Sequence, residues 1–545
     1  KRIGGDLYRR GAIHKEAVEK GCIWLRDNQA RDGSWTPPDD WDDTKSKVHN
    51  ARFDRRVGAT GVILMGLLYS GVNTDSPTIE RGLDYISRLN RESYLIYTRG
   101  AMCCAYTLAD PQRRSKKIGK LVEYQVRWIA DMQSKNQYKL WRYSPKGGQL
   151  QLFDLSCTQF AIEAYRSADA YGFQMPKAPL AAAQQQLHKQ QNQDGGWPYS
   201  TDKASSGPQQ QSKLSMTAAT IGGLAYLDSA LTRPREGKAR RDPHIDSGLR
   251  ALIKLYKEEC GTVAARGGRK KRPEWTPPTN PYTAYSIERA GILTGTRYLG
   301  GHDWYREIAE AMLAVQNEDG SWPTYHGERH VALGTGFTLL FLGKGLAPTI
   351  VGKLDWGPPS RATAWDMRNL TEEVSREIGS HLNWIELPVQ AEVSEYMKVP
   401  LIYITGDDSP YDKLMRHKEK FVKYLNAGGT ILGAGFDNNK AFEEGFKKFV
   451  GEIQPGAAFE ELDLDHDIYD RWHKIRRTYG LSATKSDKGG RPVALYIDKP
   501  FAIPLGTRRG RGVKRSMELG TNIIVALTQV DKRRNFLDDA MGGGD

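Results

Sequence analysis

Over residues 1–350, helix-length stretches alternate between two kinds. One kind is apolar on most sides: 59–68, 101–106, 160–165, 218–225, the run from Tyr282 through Tyr285 and onward, and 336–341. The stretches between them carry Lys, Arg and Glu along one face. A helix apolar all round calls for burial on every side, whereas a one-faced helix belongs at a surface. An inner ring of helices within an outer ring satisfies both, so the pattern predicts six helical hairpins closing as an (α/α)6 toroid.

One short phrase punctuates these stretches. It comprises Gln29, Asp32, Gly33 and Trp35, then Gln191, Asp194, Gly195 and Trp197, then Gln316, Asp319, Gly320 and Trp322. Each copy follows a helix-forming run. Its Asp-Gly turn stops the helix, its indole can lie across the helix end, and its Gln can bond nearby backbone. The phrase predicts a brace between neighbouring hairpins. Weaker copies fall where helical runs close near Asn90, near Gln133 before Asn136 and Trp141, and near Glu259 before Trp275. The resulting units of roughly 45 to 65 residues suit helical repeats.

The spacing of Gln, Asp-Gly and Trp resembles the tryptophan motif of the squalene cyclase and protein prenyltransferase repeat superfamily, over about residues 10–350. The resemblance implies the toroid but no particular chemistry. Class II terpene cyclases of that superfamily protonate an alkene from an Asp-x-Asp-Asp-Thr string, which Asp40, Asp42, Asp43 and Thr44 reproduce. The family's Thr begins an inner helix, however, and here that helix is expected near Val57. Arg56, Gly58 and Ala59, at the cognate positions before Thr60, can deliver no proton. The acidic string beside Pro37 and Pro38 therefore reads as a solvated loop.

Protein prenyltransferases hold a catalytic zinc through Asp, Cys and His at inner-helix starts. Asp154 and Cys157 occupy such a start on nearly one helical face, with His326 or His330 as the imidazole. The competing reading makes Asp154 a helix cap, Cys157 a small core residue and the histidines loop residues. The concave end of the toroid supplies further ligand candidates at inner-helix starts: Tyr97, Arg99, Asp154, Thr158, Gln159, Thr217, Tyr282, Tyr285, His330 and Thr335. Aromatic rings with a few polar groups suit an amphipathic ligand or a peptide segment, and equally suit a filled core.

The pattern changes after residue 350. Residues 351–392, opening near Gly357-Pro-Pro-Ser360, are expected as a linker, and residues 393–530 as an α/β domain with a parallel sheet. Strands are predicted at 399–405, 430–434, 493–497 and 522–527, with a helix at about 415–425. This part is similar to a domain family of unknown function with a class I glutamine-amidotransferase-like fold, of flavodoxin-like layering. The likeness rests on 400–406, 424–429, Asp465 with His466, and 520–524. Amidotransferases use a nucleophilic Cys, and all five cysteines here (Cys22, Cys103, Cys104, Cys157 and Cys260) precede this region. Ligands of open α/β sheets gather beyond strand carboxyl ends, which singles out Asp407, Asp408, Asp437 and His466 as ligand or divalent-metal candidates. Asp at strand ends is also ordinary turn chemistry.

Net charge is +14 with pI near 9.3, so acidic partners suit the chain. Basic clusters at 233–241, 266–272 and 508–515 read as loops for an anionic surface or a protein; no nucleic-acid motif accompanies them. No apolar run is long enough to span a bilayer. The chain does not start with Met, which fits either removal of an export signal or a start that lies upstream of residue 1; relatives joining the two domains often look exported, so the resemblance implies an extracytoplasmic setting, the periplasm or cell envelope; the alternative is a soluble cytoplasmic protein. Residues 531–545 are expected as a loose tail. These features favour a non-catalytic binding or assembly protein recognising a partner protein or envelope component. The alternatives are a cyclase- or prenyltransferase-like enzyme on an apolar substrate, and a structural subunit of a larger complex.

Overall fold

The computed structural model describes all residues except 1–4, 36–50, 145–150, 201–209, 233–239, 262–274, 324–329, 346, 485–491, 509–511 and 531–545. Twelve helices come first among the described residues. The outer ones are α1 (Gly5–Asp27), α3 (Pro77–Arg88), α5 (Lys116–Lys135), α7 (Lys177–Lys189), α9 (Pro243–Gly261) and α11 (Trp304–Leu313). The inner ones are α2 (Ala51–Tyr69), α4 (Ile96–Ala109), α6 (Leu155–Ala170), α8 (Leu214–Leu231), α10 (Pro281–Thr294) and α12 (Val331–Gly345). Each inner helix packs on the next, and α12 returns to α2, so the ring is closed. At the closure Gly66 and Gly336 bring two backbones together: a Cβ on Gly66 would stand 2.5 Å from the Gly336 carbonyl oxygen. Helix α2 begins at Ala51, earlier than expected, because its first turns carry Arg55 and Arg56 rather than apolar residues.

A four-part clasp ties the hairpins. The indoles of Trp35, Trp141, Trp197 and Trp322 donate to the carbonyls of Leu25, Ile129, Leu187 and Met312 near the end of the preceding outer helix. Their backbone N–H groups donate to the hydroxyls of Thr60, Thr158, Thr217 and Thr335 on inner helices, at 3.0 to 3.5 Å. Gln29, Gln133, Gln191 and Gln316 each donate twice. One bond closes their own turn, at the Gly33, Lys139, Gly195 and Gly320 carbonyls; the other reaches the next outer helix, at the Thr78, Pro179, His244 and Ala17 carbonyls. Gly33, Gly195 and Gly320 have φ of 92°, 86° and 92°, and a Cβ on them would lie 2.2, 2.7 and 2.7 Å from the carbonyl oxygens of Arg81, Ser247 and Lys20. Only glycine fits so left-handed and crowded a turn.

Two weak copies differ. Near Asn90 there is no Trp, and Arg99 replaces it, donating to the Asn90 and Ser93 carbonyls and to Gln125 of α5. Trp275 lies 40% exposed, stacked on His302, because no Asp-Gly turn precedes it to fold the indole back.

The remaining chain forms one seven-stranded sheet: β1 (Thr349–Asp355), β2 (Asn383–Pro388), β3 (Leu401–Gly406), β4 (Thr430–Gly435), β5 (Phe459–Glu461), β6 (Leu481–Thr484) and β7 (Ala494–Ile497). The spatial order is β2-β1-β3-β4-β7-β6-β5. The first five are parallel in the flavodoxin-like doubly wound order, and β6 and β5 extend the sheet antiparallel. Helices α13 (Asp366–Ile378), α14 (Val393–Tyr396), α15 (Tyr411–Met415), α16 (Lys418–Asn426), α17 (Lys440–Ile453), α18 (Ala502–Thr507) and α19 (Val513–Thr528) complete it, with an apolar core on each face.

Two expectations are corrected. Residues 351–392 are no linker: they contain most of β1, which pairs with both β2 and β3, together with α13 and β2. Residues 522–527 are helical, inside α19, because a run buried on every side satisfies either period.

This second unit covers one mouth of the ring. Near the carboxyl ends of inner helices, Trp365 donates to Asp228, Arg368 to the Ala225 carbonyl and Ser229 to Asn369. Tyr69 packs on His381, and the Glu386 N–H bonds the Gly295 carbonyl. A buried ionic ladder crosses the junction, from Glu288 and Arg289 through Glu163 and Arg166 to Glu372, which also meets Arg368 and Arg508. Burial opposes the Glu372 charge, yet the three guanidinium groups hold its carboxyl down at about 2.

Gln316→Ala is expected to orphan two carbonyls and destabilise the ring by about 1–3 kcal/mol, with faster amide exchange in α1, read by urea unfolding and hydrogen exchange. Because the folded-state pKa of Glu372 is depressed, its contribution is complete above the unfolded value of about 4.5 and fades as pH falls towards about 2. Glu372→Gln should flatten that acid limb of the stability curve and cost about 3–5 kcal/mol at neutral pH by leaving the buried Arg368 guanidinium without its ionic partner.

Candidate functional site

The opposite mouth, at the amino ends of the inner helices, brings together four of the residues expected there, Tyr97, Asp154, Gln159 and Tyr282, whereas Thr158, Thr217 and Thr335 receive the clasp tryptophans. Asp154 precedes α6, and its Oδ1 accepts from the Cys157 N–H at 2.7 Å and the Ser156 hydroxyl at 2.8 Å. Tyr97 donates to Ser156, whose hydroxyl lies 3.3 Å from that of Tyr199; Tyr199 in turn pairs with Tyr143 at 2.8 Å. Neighbouring loops are stitched by backbone: the Ile96 N–H bonds the Tyr143 carbonyl, and the Leu155 N–H bonds that of Tyr199. Gln159 accepts from Tyr282 across the ring at 2.7 Å.

Burial pushes the Asp154 carboxyl up from its ordinary value, against the hydrogen bonds from Cys157 and Ser156. Two buried atoms here, Asp154 Oδ2 and Gln159 Nε2, have no hydrogen-bond partner among the described residues. Such atoms are costly to leave unmatched, and a polar ligand group would satisfy them.

Beneath this layer the ring is filled. Phe160, Tyr285 and Phe337 meet one another with centroids 5.8 to 6.4 Å apart, flanked by Tyr97 and Tyr282. Tyr285 therefore serves as core. His330 caps α12 by accepting the Leu333 N–H, and burial pushes its imidazole down to about 4. Arg99 points to α5 and stabilises a loop rather than facing a ligand. Asp40, Asp42, Asp43 and His326 lie outside the described residues.

The sequence-derived zinc set is not assembled among the described residues. Asp154 is engaged as a cap, and burial raises the Cys157 thiol well above its usual range, which keeps it protonated. All five cysteines are buried and unbridged.

In the α/β part the ligand crevice would open between β1 and β3, where the strand order reverses. Trp356 fills it, donating to the Thr405 carbonyl and lying so close to Gly406 that a Cβ there would stand 2.3 Å from the indole. Asp407 and Asp408 follow β3 beside this plug, Asp437 is exposed with φ of 48°, and His466 caps a short helical turn. These four residues form no common metal-ligand set. The basic clusters are also partly engaged: Arg241 pairs with Asp246 and Glu386, and Arg508 with Glu372. No described helix is long and apolar enough to cross a membrane.

Sequence reading missed Tyr94, Tyr143 and Tyr199. They are three of the six exposed large hydrophobic residues among those described, and all three lie in outer-to-inner helix connections at this mouth; Trp275, also exposed, lies against Tyr256 and Glu307 of the outer helices. The available signal was that Tyr143 and Tyr199 each stand two residues after a clasp tryptophan, Trp141 and Trp197.

A family model described as a domain of unknown function (DUF4159) matches residues 352–521. No curated protein matches the chain. Among solved structures, the GH76A α-1,6-mannanase from Salegentibacter sp. HEL1_6 is similar at 10% identity and a TM-score of 0.44, covering 61% of this chain and 99% of that one. An unsaturated glucuronyl hydrolase specific for heparin shows 12% identity and a TM-score of 0.41, over 61% of this chain and 96% of the other. The type II terpene cyclase MstE from Scytonema, in complex with its product merosterolic acid A, shows 12% identity and a TM-score of 0.28, over 62% and 99%. Likenesses this distant carry no argument about activity.

Because the Asp154 pKa is raised, the folded state keeps a proton that the unfolded chain releases, so this residue lowers stability as pH rises from the unfolded to the folded value. Asp154→Asn keeps the cap without the charge. The variant is expected to melt above the wild type at neutral pH, with the gap closing below about pH 4, as read by thermal scans across pH.

Proposed function

We propose that this chain is a recognition protein that binds a partner protein or envelope component across the uncovered mouth of the toroid. The observation that carries this reading is the pair of partly exposed rings, Tyr143 and Tyr199, joined at their hydroxyls and set over Ser156 and Asp154 at one end of the ring. Partly exposed aromatic residues backed by hydroxyls and unmatched polar atoms are the usual anchors of a binding face. The filled interior supports binding over enclosure of a long apolar substrate. The α/β unit, read as an amidotransferase-like layer without a nucleophile, serves as scaffold and covers the other mouth. An extracytoplasmic setting belongs to the same proposal.

One observation favours a second reading, that of an enzyme. Asp154 is an acid shifted towards its protonated form inside an aromatic surround, which is what a proton donor to an apolar substrate requires. Turnover of an isoprenoid by the wild type, lost in Asp154→Asn, would establish it.

The binding reading is tested with immobilised full-length protein and envelope extract. A folded Tyr143→Ala/Tyr199→Ala variant should hold its captured partner at least about tenfold more weakly, the consequence of losing central aromatic anchors. Equal capture by variant and wild type would refute it.

A further inference from the structure

One of the four clasps departs from the other three in its chemistry. Three residues before the clasp glutamine the others carry Arg26, Ala130 and Leu313, and here the residue is His188. The carbonyl that receives the glutamine belongs elsewhere to Thr78, Pro179 or Ala17, and here to His244. Two residues before that carbonyl stand Ser76, Lys177 and Lys15, and here Asp242. Two imidazoles and a carboxylate thus replace groups of which none is a usual ligand for a transition metal.

We infer that His188, Asp242 and His244 form a binding site for a divalent transition metal of the zinc class, at the junction of α7 and α9. One candidate ligand atom from each residue lies within 4.8 Å of the other two. The donor set of two imidazoles and one carboxylate suits zinc and its neighbours rather than magnesium or calcium.

The surroundings match what such ligands need. His244 Nδ1 lies 2.5 Å from Gln191 Oε1, so this nitrogen carries the proton and Nε2 keeps its lone pair, the usual outer-shell device of a metal-binding histidine. Asp242 uses Oδ1 to cap α9 at the His244 N–H, 2.9 Å away, which directs Oδ2 to His188 Nε2 at 2.6 Å. The Asp242 N–H is anchored on Asp228, which also receives the Trp365 indole. His188 is about a quarter exposed, leaving a route for an ion.

The imidazoles stack with centroids 4.0 Å apart and planes 8° from parallel. Tetrahedral ligands on zinc stand about 3.3 Å apart, so coordination requires the rings to rotate out of the stack and His188 to exchange its direct bond to Asp242 for the ion. A bound ion would staple α7 to α9 and, through Asp228 and Trp365, stiffen the junction with the α/β unit.

The test uses full-length protein stripped with EDTA and titrated with Zn2+ by calorimetry, then with Co2+ by visible absorption. One Zn2+ per chain, a higher melting temperature on binding and tetrahedral Co2+ bands are expected. His188→Gln/His244→Gln should weaken Zn2+ binding about a hundredfold or more and abolish both the melting shift and the bands. Should that variant fail to fold, Asp242→Asn, which preserves the helix cap, is expected to weaken binding at least tenfold. Unchanged Zn2+ affinity in a folded variant, or no Zn2+ binding by the wild type, would overturn the inference.

Discussion

The closed ring depends on the second hydrogen bond of each clasp glutamine. A helical hairpin with one apolar helix cannot stand alone, and stacking hairpins ordinarily gives an open solenoid. Here each of four glutamines reaches past its own turn to a backbone carbonyl of the following outer helix. The last of them, Gln316, finds that carbonyl on Ala17, at the start of the chain. The neighbouring Trp24 indole donates to Asp319 across the same seam. The sixth hairpin therefore presents to the first the same surface that earlier hairpins present to their successors, and the chain closes.

Much of this was legible because the clasp is local chemistry. A Gln, an Asp-Gly turn and a Trp within seven residues define one geometry whatever surrounds them, and glycine at a crowded positive φ leaves no alternative. The alternation of all-round and one-faced apolar stretches likewise separated inner from outer helices. Other features were not legible, for identifiable reasons. The strand β1 lies beside Gly357-Pro358-Pro359, whose turn chemistry reads as a linker, although Ile350, Val351 and Leu354 are buried. The β-branched run Ile523-Ile524-Val525 suits a buried strand as well as a buried helix. The ladder from Glu288 to Arg508 joins side chains from widely separated parts of the chain, and no local pattern announces it.

The candidate site was half visible. Tyr97, Asp154, Gln159 and Tyr282 do converge, since inner-helix starts must share one end of a closed ring. Arg99 and Tyr285 do not join them, because a side chain at such a start can turn outward to a neighbouring helix or inward to the core, and sequence does not distinguish the two. The α/β candidates fared differently: the strand order places a crevice beside Asp407, but Trp356 occupies it. A large side chain just past a strand can plug the very position that topology reserves for a ligand.

Covering one mouth of the ring also sorts its electrostatics. Six inner helices run in the same sense, so their partial negative ends gather where the second unit docks, and that unit offers Arg368 and Arg508 on its side of the contact. The six partial positive ends are left together at the exposed face. An approaching molecule therefore meets a directional field built from backbone alone, one that favours anionic groups before any side chain is touched.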